Sequence, residues 1–220
     1  MNLARASAAE FIGTSMLLAV IVGSGIMGES LAQGNQAIAL LANSFATGCA
    51  LFVLIATFSD ASGAHFNPLV SVLARWEGSI ATSTLLALVL AQVVGALAGV
   101  AIAHGMFEMA AWSPSLKVRT GWGQWLAEGV ATFGLMVTII GTRRFGTVVV
   151  AASVACYIAA AYWFTASTSF ANPAVTLARA LSPTFAGIAP SDVAGFVVAQ
   201  LLGAIAGTLT AHALRLRGVP

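Results

Sequence analysis

The apolar residues of this chain fall into six long runs that few polar side chains interrupt. A helix that crosses the roughly 30 Å hydrocarbon core of a bilayer needs about 20 mostly apolar residues. Four of the runs contain no formally charged residue, while the first contains only Glu10 and the fourth only Glu128. The runs cover residues 7–28, 37–58, 81–107, 123–142, 145–165 and 193–214. The pattern predicts an all-α membrane protein with six transmembrane helices.

Two of the connecting segments are too apolar for ordinary exposed loops, and each contains an Asn-Pro pair. Asn is a favoured helix N-cap, and Pro is favoured at the first helical position. A short apolar stretch after each pair is long enough for about 13 Å of helix, close to half of the hydrocarbon core. The pairs are Asn67-Pro68 and Asn172-Pro173, and the predicted re-entrant half-helices cover residues 68–76 and 173–181.

The two halves of the chain carry the same motifs in the same order, which indicates an internal repeat. A Glu-x-x-x-Thr motif, an Asn-Pro pair and a Gln-x-x-Gly-Ala motif each occur once in both halves. Because each half has three spans, an odd number, the halves enter the membrane from opposite sides. This is an inverted 3+3 repeat, in which sites lie near the midplane. It predicts one channel domain over residues 1–220, with repeats at 1–110 and 123–220.

The half-helices would meet at the midplane through their N-termini, where the helix dipole is positive. A cation or proton meets an electrostatic barrier there, whereas a neutral solute does not. The amides of Asn67 and Asn172 can donate hydrogen bonds to a passing oxygen, and the irregular backbone before each pair can offer carbonyl acceptors. Such backbone is tolerated at this depth where it lines a cavity. The arrangement predicts a narrow pore for small uncharged polar solutes. The predicted interaction partners are these solutes and the lipid bilayer.

Composition and charge exclude several other classes of protein. Charged residues make up 7% of the chain, against roughly 25% in a typical soluble domain, and apolar residues make up 59%. This excludes a soluble domain and a disordered chain. A net charge of +2 without a Lys/Arg cluster argues against nucleic-acid binding. The cysteines and histidines are too scattered to form a metal site, so no metal or cofactor is predicted.

The distribution of basic residues predicts the orientation of the chain. Six spans place both termini on one side of the membrane, and positive residues favour the cytoplasmic side. The terminal side carries Arg5, Arg75, Arg143, Arg144, Arg215 and Arg217, and the opposite side carries Lys117, Arg119 and Arg179. Both termini are therefore predicted to be cytoplasmic.

These motifs together resemble the major intrinsic proteins, the aquaporins and aquaglyceroporins, over nearly the whole chain. The two boxes Asn67-Pro68-Leu69 and Asn172-Pro173-Ala174 resemble the paired Asn-Pro-Ala boxes of that family. The resemblance implies a homotetramer with one passive pore per subunit. It also implies a structural role for Glu10 and Glu128, which would accept hydrogen bonds from the re-entrant segments, and for His65, which would brace the first loop.

The sequence departs from the family pattern at two places. The first box ends in Leu69 instead of alanine, which is expected to shift the contact between the half-helix tips. Most members place an arginine after the second box, where this chain has Val175. Arg179 lies about one turn further along the half-helix and is not expected to replace it. The aspartate that follows this arginine in glycerol channels of the family is replaced by Thr176.

Counting from the boxes assigns the other positions of the selectivity filter. Twenty residues before Asn67 stands Thr47, while Ala160 and Ser169 stand twelve and three residues before Asn172. Together with Val175 these are small side chains, so the filter is predicted to be wide, weakly polar and without fixed positive charge. With valine in place of this arginine, the filter resembles that of the aquaglyceroporin-like channels of bacterial arsenic-resistance operons. The resemblance implies a bacterial inner membrane protein that passes neutral arsenite or methylated arsenicals.

Several other functions are compatible with these sequence features. A water-selective aquaporin has the same fold, and an ion-coupled secondary transporter shares inverted repeats and broken helices. The transporter would need titrating groups along the path, for which only Glu10 and Glu128 are available. No Ser/His/Asp, Cys/His or metal-ligand constellation lies at membrane depth, so the chain is not predicted to be an enzyme. An adhesive or structural role with a closed pore is the fourth alternative.

Overall fold

A computed structural model describes residues 2–216, and all regular elements in this range are helical. Arg217, which was counted among the basic residues of the terminal side, lies outside the described residues, as do the last positions of the second repeat. The α-helices are α1 (Leu3–Ala32), α2 (Gln36–Ser62), α3 (Pro68–Trp76), α4 (Thr82–Met106), α5 (Trp122–Thr142), α6 (Thr147–Phe164), α7 (Pro173–Arg179) and α8 (Val193–Ala213). Short 3₁₀ helices lie at Arg143–Phe145 and Pro190–Asp192.

Six of the helices described over residues 2–216 are long and apolar enough to cross a membrane, as predicted. They are α1, α2, α4, α5, α6 and α8; a 3₁₀ turn follows α5 directly, and another directly precedes α8. Large apolar side chains such as Phe45, Leu90 and Leu202 are exposed on their outer faces, as lipid contact requires. The first helix begins earlier and ends later than the apolar run, because Asn2 caps its start and Gln33 ends it in the left-handed region at φ 46°.

The two short helices, α3 and α7, begin at the Asn-Pro pairs. Asn67 accepts a hydrogen bond from the N–H of Leu69, and Asn172 accepts from the N–H groups of Ala174 and Val175. The first half-helix has the predicted bounds, whereas the second ends at Arg179, two residues before the predicted end. It ends there because the next N–H groups bond to carbonyls three residues back, which tightens the chain into a turn.

Glycines on α4 and α8 allow close helix packing within each repeat. Helix α1 packs mainly against α4, and α5 packs mainly against α8, while α2 and α6 join the two halves. A Cβ atom added at Gly95 would lie 2.5 Å from the carbonyl oxygen of Phe11, and one at Gly203 would overlap the carbonyl of Gly129. Only glycine therefore fits at these crossings, which explains why the Gln-x-x-Gly-Ala motif occurs in both repeats.

Candidate pore and selectivity filter

The two re-entrant segments reach their half-helices through residues in the left-handed backbone region. These residues are Gly63, Ala64 and Phe66 in the first segment and Thr168, Ser169 and Ala171 in the second. Residues other than glycine adopt this region rarely, at a cost of about 1–3 kcal/mol each, so surrounding contacts must hold it. The last left-handed residue in each segment directly precedes the Asn of the Asn-Pro pair.

Glu10 of α1 holds the first segment. Its buried carboxylate accepts hydrogen bonds from the backbone N–H groups of His65 (2.8 Å) and Phe66 (2.7 Å). The hydroxyl of Ser62 (2.6 Å) and the side-chain amide of Gln92 (2.7 Å) also donate to it. In a trans peptide the carbonyl points away from the N–H. The carbonyls of Ala64 and His65 therefore point away from Glu10.

Glu128 of α5 holds the second segment in the same way. Its carboxylate accepts hydrogen bonds from the backbone N–H groups of Phe170 (2.8 Å) and Ala171 (2.9 Å). The side-chain amide of Gln200 donates a third, at 2.6 Å. Both carboxylates are fully buried. Apart from the hydroxyl of Ser62 at the end of α2, their donors belong to the segments or to the last helix of the same repeat.

The two glutamines connect each carboxylate to a half-helix. The amide nitrogen of Gln92 donates to Glu10 and also to the hydroxyl of Ser71 on α3, at 2.9 Å. The amide nitrogen of Gln200 donates in the same way to Thr176 on α7, at 2.8 Å. The ring of His65 lies 3.0 Å from the Ser71 hydroxyl through Nδ1, so this histidine contacts the first half-helix. The repeated motifs of the sequence thus form one hydrogen-bonded unit in each half.

The half-helix tips meet through their asparagines. The side-chain amide of Asn67 donates to the carbonyl of Ala171 at 2.8 Å, and that of Asn172 donates to the carbonyl of Phe66 at 2.7 Å. The two bonds differ by 0.1 Å in length, so the contact is close to symmetric. Leu69 instead lies in a groove between α3 and α8, and its larger side chain is accommodated away from the two amides.

A cavity of about 510 Å³ passes between the two repeats and is lined by both re-entrant segments. Its lining includes Glu77 at the C-terminal end of α3 and Arg179 at the C-terminal end of α7. Because α3 and α7 meet at their N-termini, their C-terminal ends point to opposite faces of the protein. The cavity therefore runs through most of the membrane-spanning part, past Asn67 and Asn172.

Three of the four predicted filter residues lie together in this cavity. Thr47, Ser169 and Val175 all line it, and each side chain is almost completely buried. Among the described residues, the hydroxyl of Ser169 has no protein partner for a hydrogen bond. It is available to a molecule in the cavity.

Ala160, the fourth predicted residue, is placed wrongly by the counting. It is exposed on the outer face of α6 and does not contribute to the cavity lining, whereas Tyr162 does. Counting back from Asn172 assumed a particular length for the linker after α6. An error of two residues rotates a position on a helix by about 200°, which carries it to the opposite face.

Tyr162 and Arg179 change the expected chemistry of the filter. The hydroxyl of Tyr162 lies 3.3 Å from that of Thr47, lines the same cavity as Val175, and interacts with the guanidinium of Arg179. The filter is thus neither formed only by small side chains nor remote from positive charge. Both residues were visible in the sequence as a polar aromatic within an apolar span and a cation within a membrane segment, which are usually functional features.

Further positive charge lies near the end of the cavity that Arg179 lines. Arg119 is buried, and its guanidinium donates to the carbonyls of Gly187 (2.8 Å) and Ser167 (3.0 Å). Burial lowers the pKa of Arg119 to about 10, so the group remains charged at neutral pH. Lys117 donates to the carbonyl of Phe185 at 2.7 Å, and burial, with the nearby guanidinium groups, lowers its pKa to about 8.

The opposite mouth contains an ion pair between the two repeats. Arg143, at the end of α5, lies 2.6 Å from Glu77, which caps the C-terminus of α3, and both residues line the cavity. The ring of His212 on α8 packs edge-on against Trp76, with ring centroids 4.9 Å apart. Both termini are predicted to lie on the side of this mouth.

Comparisons with known proteins agree with this architecture. The sequence profile of the family described as Major intrinsic protein matches residues 1–146. Aquaglyceroporin AqpS of Rhizobium meliloti (strain 1021) is 52% identical over 204 residues, which cover 93% of this chain and 87% of that protein. Aquaporin-1 of Homo sapiens is 32% identical over 144 residues, which cover 64% of this chain and 51% of that protein.

A solved structure shares the fold. The X-ray structure of the aquaglyceroporin from Plasmodium falciparum matches with a TM-score of 0.74 and covers 96% of this chain and 95% of that chain. The sequence identity of this pair is 18%, so the match concerns the arrangement of the helices and not the solute.

Proposed function

Because the chain belongs to the major intrinsic protein family, it is a membrane channel for small solutes, and we propose that these include uncharged solutes of about the size of glycerol. Water, polyols, neutral arsenite and methylated arsenicals form the proposed set. The observation that carries the proposal is the side chain of Val175, which lines the cavity where the family resemblance implies an arginine. An isopropyl group there leaves more room than a guanidinium and binds no water tightly.

The polar groups at this level suit solutes rich in hydroxyl groups. Thr47 and Ser169 line the cavity, and their hydroxyls can donate or accept. The carbonyls that point away from Glu10 and Glu128 can accept from a solute, and each asparagine amide keeps one N–H beyond the bond to the opposite segment. Arsenite, As(OH)3, is neutral at pH 7 and carries three hydroxyl groups, so it matches this arrangement.

Tyr162 favours a narrower filter than the sequence alone predicted. Its ring occupies part of the cavity wall where a small side chain was expected. The proposed selectivity therefore depends on Val175 for width, while Tyr162 limits the upper size of the solute. A water-selective channel is the competing function, and the size cut-off distinguishes the two.

A coupled transporter is the less favoured function. The carboxylate of Glu10 accepts four hydrogen bonds and that of Glu128 accepts three, and neither residue lines the cavity. A proton-carrying group must exchange protons with the path, whereas these carboxylates hold the backbone of the segments. We therefore propose a structural role for both.

Stopped-flow light scattering on proteoliposomes tests the proposal. We expect water, glycerol and arsenite to permeate faster than through empty vesicles, without a requirement for a proton gradient. Val175→Arg should reduce glycerol and arsenite permeation more than water permeation. Val175→Leu, which keeps the site apolar, is the control. Equal loss of water and glycerol permeation in Val175→Arg would contradict the assignment of the filter.

The remaining features of the proposal follow from the family resemblance. They are a homotetramer with one pore per subunit and location in a bacterial inner membrane. Cytoplasmic termini are proposed from the distribution of basic residues. Chemical crosslinking in native membranes tests the tetramer. Accessibility of an added C-terminal tag in intact and permeabilised cells tests the orientation.

A further inference from the structure

Arg179 is a buried cation on the same half-helix as Val175. It lies four residues further towards the outer face, a distance of about 6 Å along the helix. Residues four apart share one face of a helix, and both side chains line the cavity. The exposed fraction of Arg179 is 1%, so its charge is held inside the protein and not in bulk water.

The guanidinium of Arg179 is fixed by three neighbours. Its Nε donates to the carbonyl of Ala186, and its central carbon lies 3.4 Å from the centroid of the Phe170 ring. It also interacts with the hydroxyl of Tyr162, which lies in the filter next to Thr47. Because Tyr162 lines the cavity, it links the charge to the narrow part of the path.

Among the described residues no carboxylate lies within 4.0 Å of this guanidinium, and the carboxylate of Glu128, which is hydrogen-bonded to the second segment, attracts it from farther away. Over residues 2–216, the ion pairs within 4.0 Å are those of Glu77 at the opposite mouth. A second guanidinium, that of Arg119, lies 5.0 Å from the centroid of the Phe170 ring, which Arg179 also contacts. Two buried cations around one aromatic ring create a positive potential at the outer end of the cavity, where field lines are focused by the low-dielectric walls.

We propose that Arg179, positioned by Tyr162, supplies the fixed charge that, together with the half-helix dipoles, excludes cations and protons from this channel. The charge that other members place directly after the second Asn-Pro-Ala box acts here from one helical turn further out. Val175 and Arg179 then divide two tasks, because Val175 sets the width and Arg179 sets the charge barrier. This inference rests on the proposed channel function and adds to it the residue that controls ion exclusion.

Proteoliposomes containing the full chain test the inference through a flux ratio. Proton entry is measured with an enclosed pH-sensitive dye under a valinomycin-imposed potential, and glycerol entry is measured by light scattering on the same vesicles. For Arg179→Gln we expect the ratio of proton to glycerol flux to rise at least tenfold, equivalent to about 1.4 kcal/mol of barrier. Arg179→Lys, which keeps the charge, should stay within threefold of the wild type.

The control is Arg144→Gln, which removes an exposed charge outside the cavity and should leave the ratio unchanged. The double variant Val175→Arg/Arg179→Gln returns a guanidinium to the family position. It should restore proton exclusion, which a purely structural role of Arg179 would not allow. A ratio in Arg179→Gln equal to that of the wild type overturns the inference.

Two further results keep the outcomes separate. If Arg179→Gln does not yield folded protein, Tyr162→Phe tests the same inference. Loss of the hydroxyl that positions Arg179 should raise the ratio of proton to glycerol flux severalfold, and an unchanged ratio then overturns the inference. If wild-type vesicles pass no glycerol, the proposed function fails, whereas glycerol flux with an unchanged ratio in the variants refutes only the role of Arg179.

Discussion

Removal of the Glu128 carboxylate should destabilise the second re-entrant segment by an amount that depends on the replacement. The carboxylate accepts from the N–H groups of Phe170 and Ala171 and from the amide of Gln200. A buried donor that loses its acceptor costs about 1–3 kcal/mol. Glu128→Ala leaves three such donors, so the free energy of unfolding should fall by about 3–9 kcal/mol.

Glu128→Gln should cost less, because the amide keeps one acceptor oxygen. One carboxylate oxygen accepts only from Phe170, while the other accepts from both Ala171 and Gln200. If the amide nitrogen replaces the first of these oxygens, a single donor is left without a partner. The expected loss is about 1–3 kcal/mol, which is smaller than for alanine.

The free energy of unfolding is measured by titrating sodium dodecyl sulfate into purified protein in mixed micelles, followed by circular dichroism. Glu108→Gln and Glu108→Ala, which change an exposed glutamate in the loop after α4, are the matched controls and should change stability by less than about 0.5 kcal/mol. Glycerol permeability of reconstituted protein is measured in parallel and should fall in the order wild type, Gln, Ala.

Two results would refute this reasoning. Equal stability losses in Glu128→Ala and Glu108→Ala would mean that Glu128 does not brace the segment. The second result has two parts: Glu128→Gln keeps full stability but loses glycerol flux, and uptake by the wild type requires a proton gradient. Together they would identify Glu128 as a proton carrier. The second outcome would favour a coupled transporter over a passive channel.

Two further predictions concern packing and the outer mouth. Gly95→Ala should destabilise the protein by about 1–3 kcal/mol in the same titration, because the added Cβ would lie 2.5 Å from the carbonyl oxygen of Phe11. The control is Gly105→Ala on the same helix, where an added Cβ meets no atom within 4 Å and should have no such effect. Lys117 is the only lysine of the chain, and its pKa is lowered from 10.5 to about 8, first by burial and then by Arg119 and Arg179. Because the folded pKa lies below the unfolded value, the charged lysine opposes folding below about pH 8, and this penalty disappears as the pH rises from 8 to 10.5. Acetylation of Lys117, followed by mass spectrometry, should show a midpoint near pH 8 in folded protein, and a midpoint near 10.5 would contradict this.

The sequence was informative where a residue acts through a repeated motif. Glu10 and Glu128, with Gln92 and Gln200, occur at corresponding places in the two halves, and the structure joins each pair by a hydrogen bond of 2.6–2.7 Å. Buried polar groups of this kind need partners, and the repeat that these motifs predicted places a hydrogen-bonded pair in each half. The fold and its re-entrant helices were likewise predictable because their motifs occur in both halves of the chain.

The filter was less predictable, because its members come from separate elements joined by loops. The position on α6 depends on the number of residues between the helix and Asn172, and sequence alone does not fix where α6 ends. Ala160 and Tyr162 are only two residues apart, yet one is exposed and the other lines the cavity. The orientation of Arg179 depends on the segment after α7, since the carbonyl of Ala186 holds its side chain.

A channel of this family must combine passage of a neutral solute with rejection of cations. A single arginine in the narrowest part links the pore width to the charge barrier, because the charged group also occupies space. In the role proposed for Arg179, valine at that level and an arginine one turn outward separate the two requirements. On a helix the two positions share one face, so the electrostatic barrier remains along the same path while the constriction widens. Under this proposal the loss of the filter arginine increases the permitted solute size without opening the pore to protons.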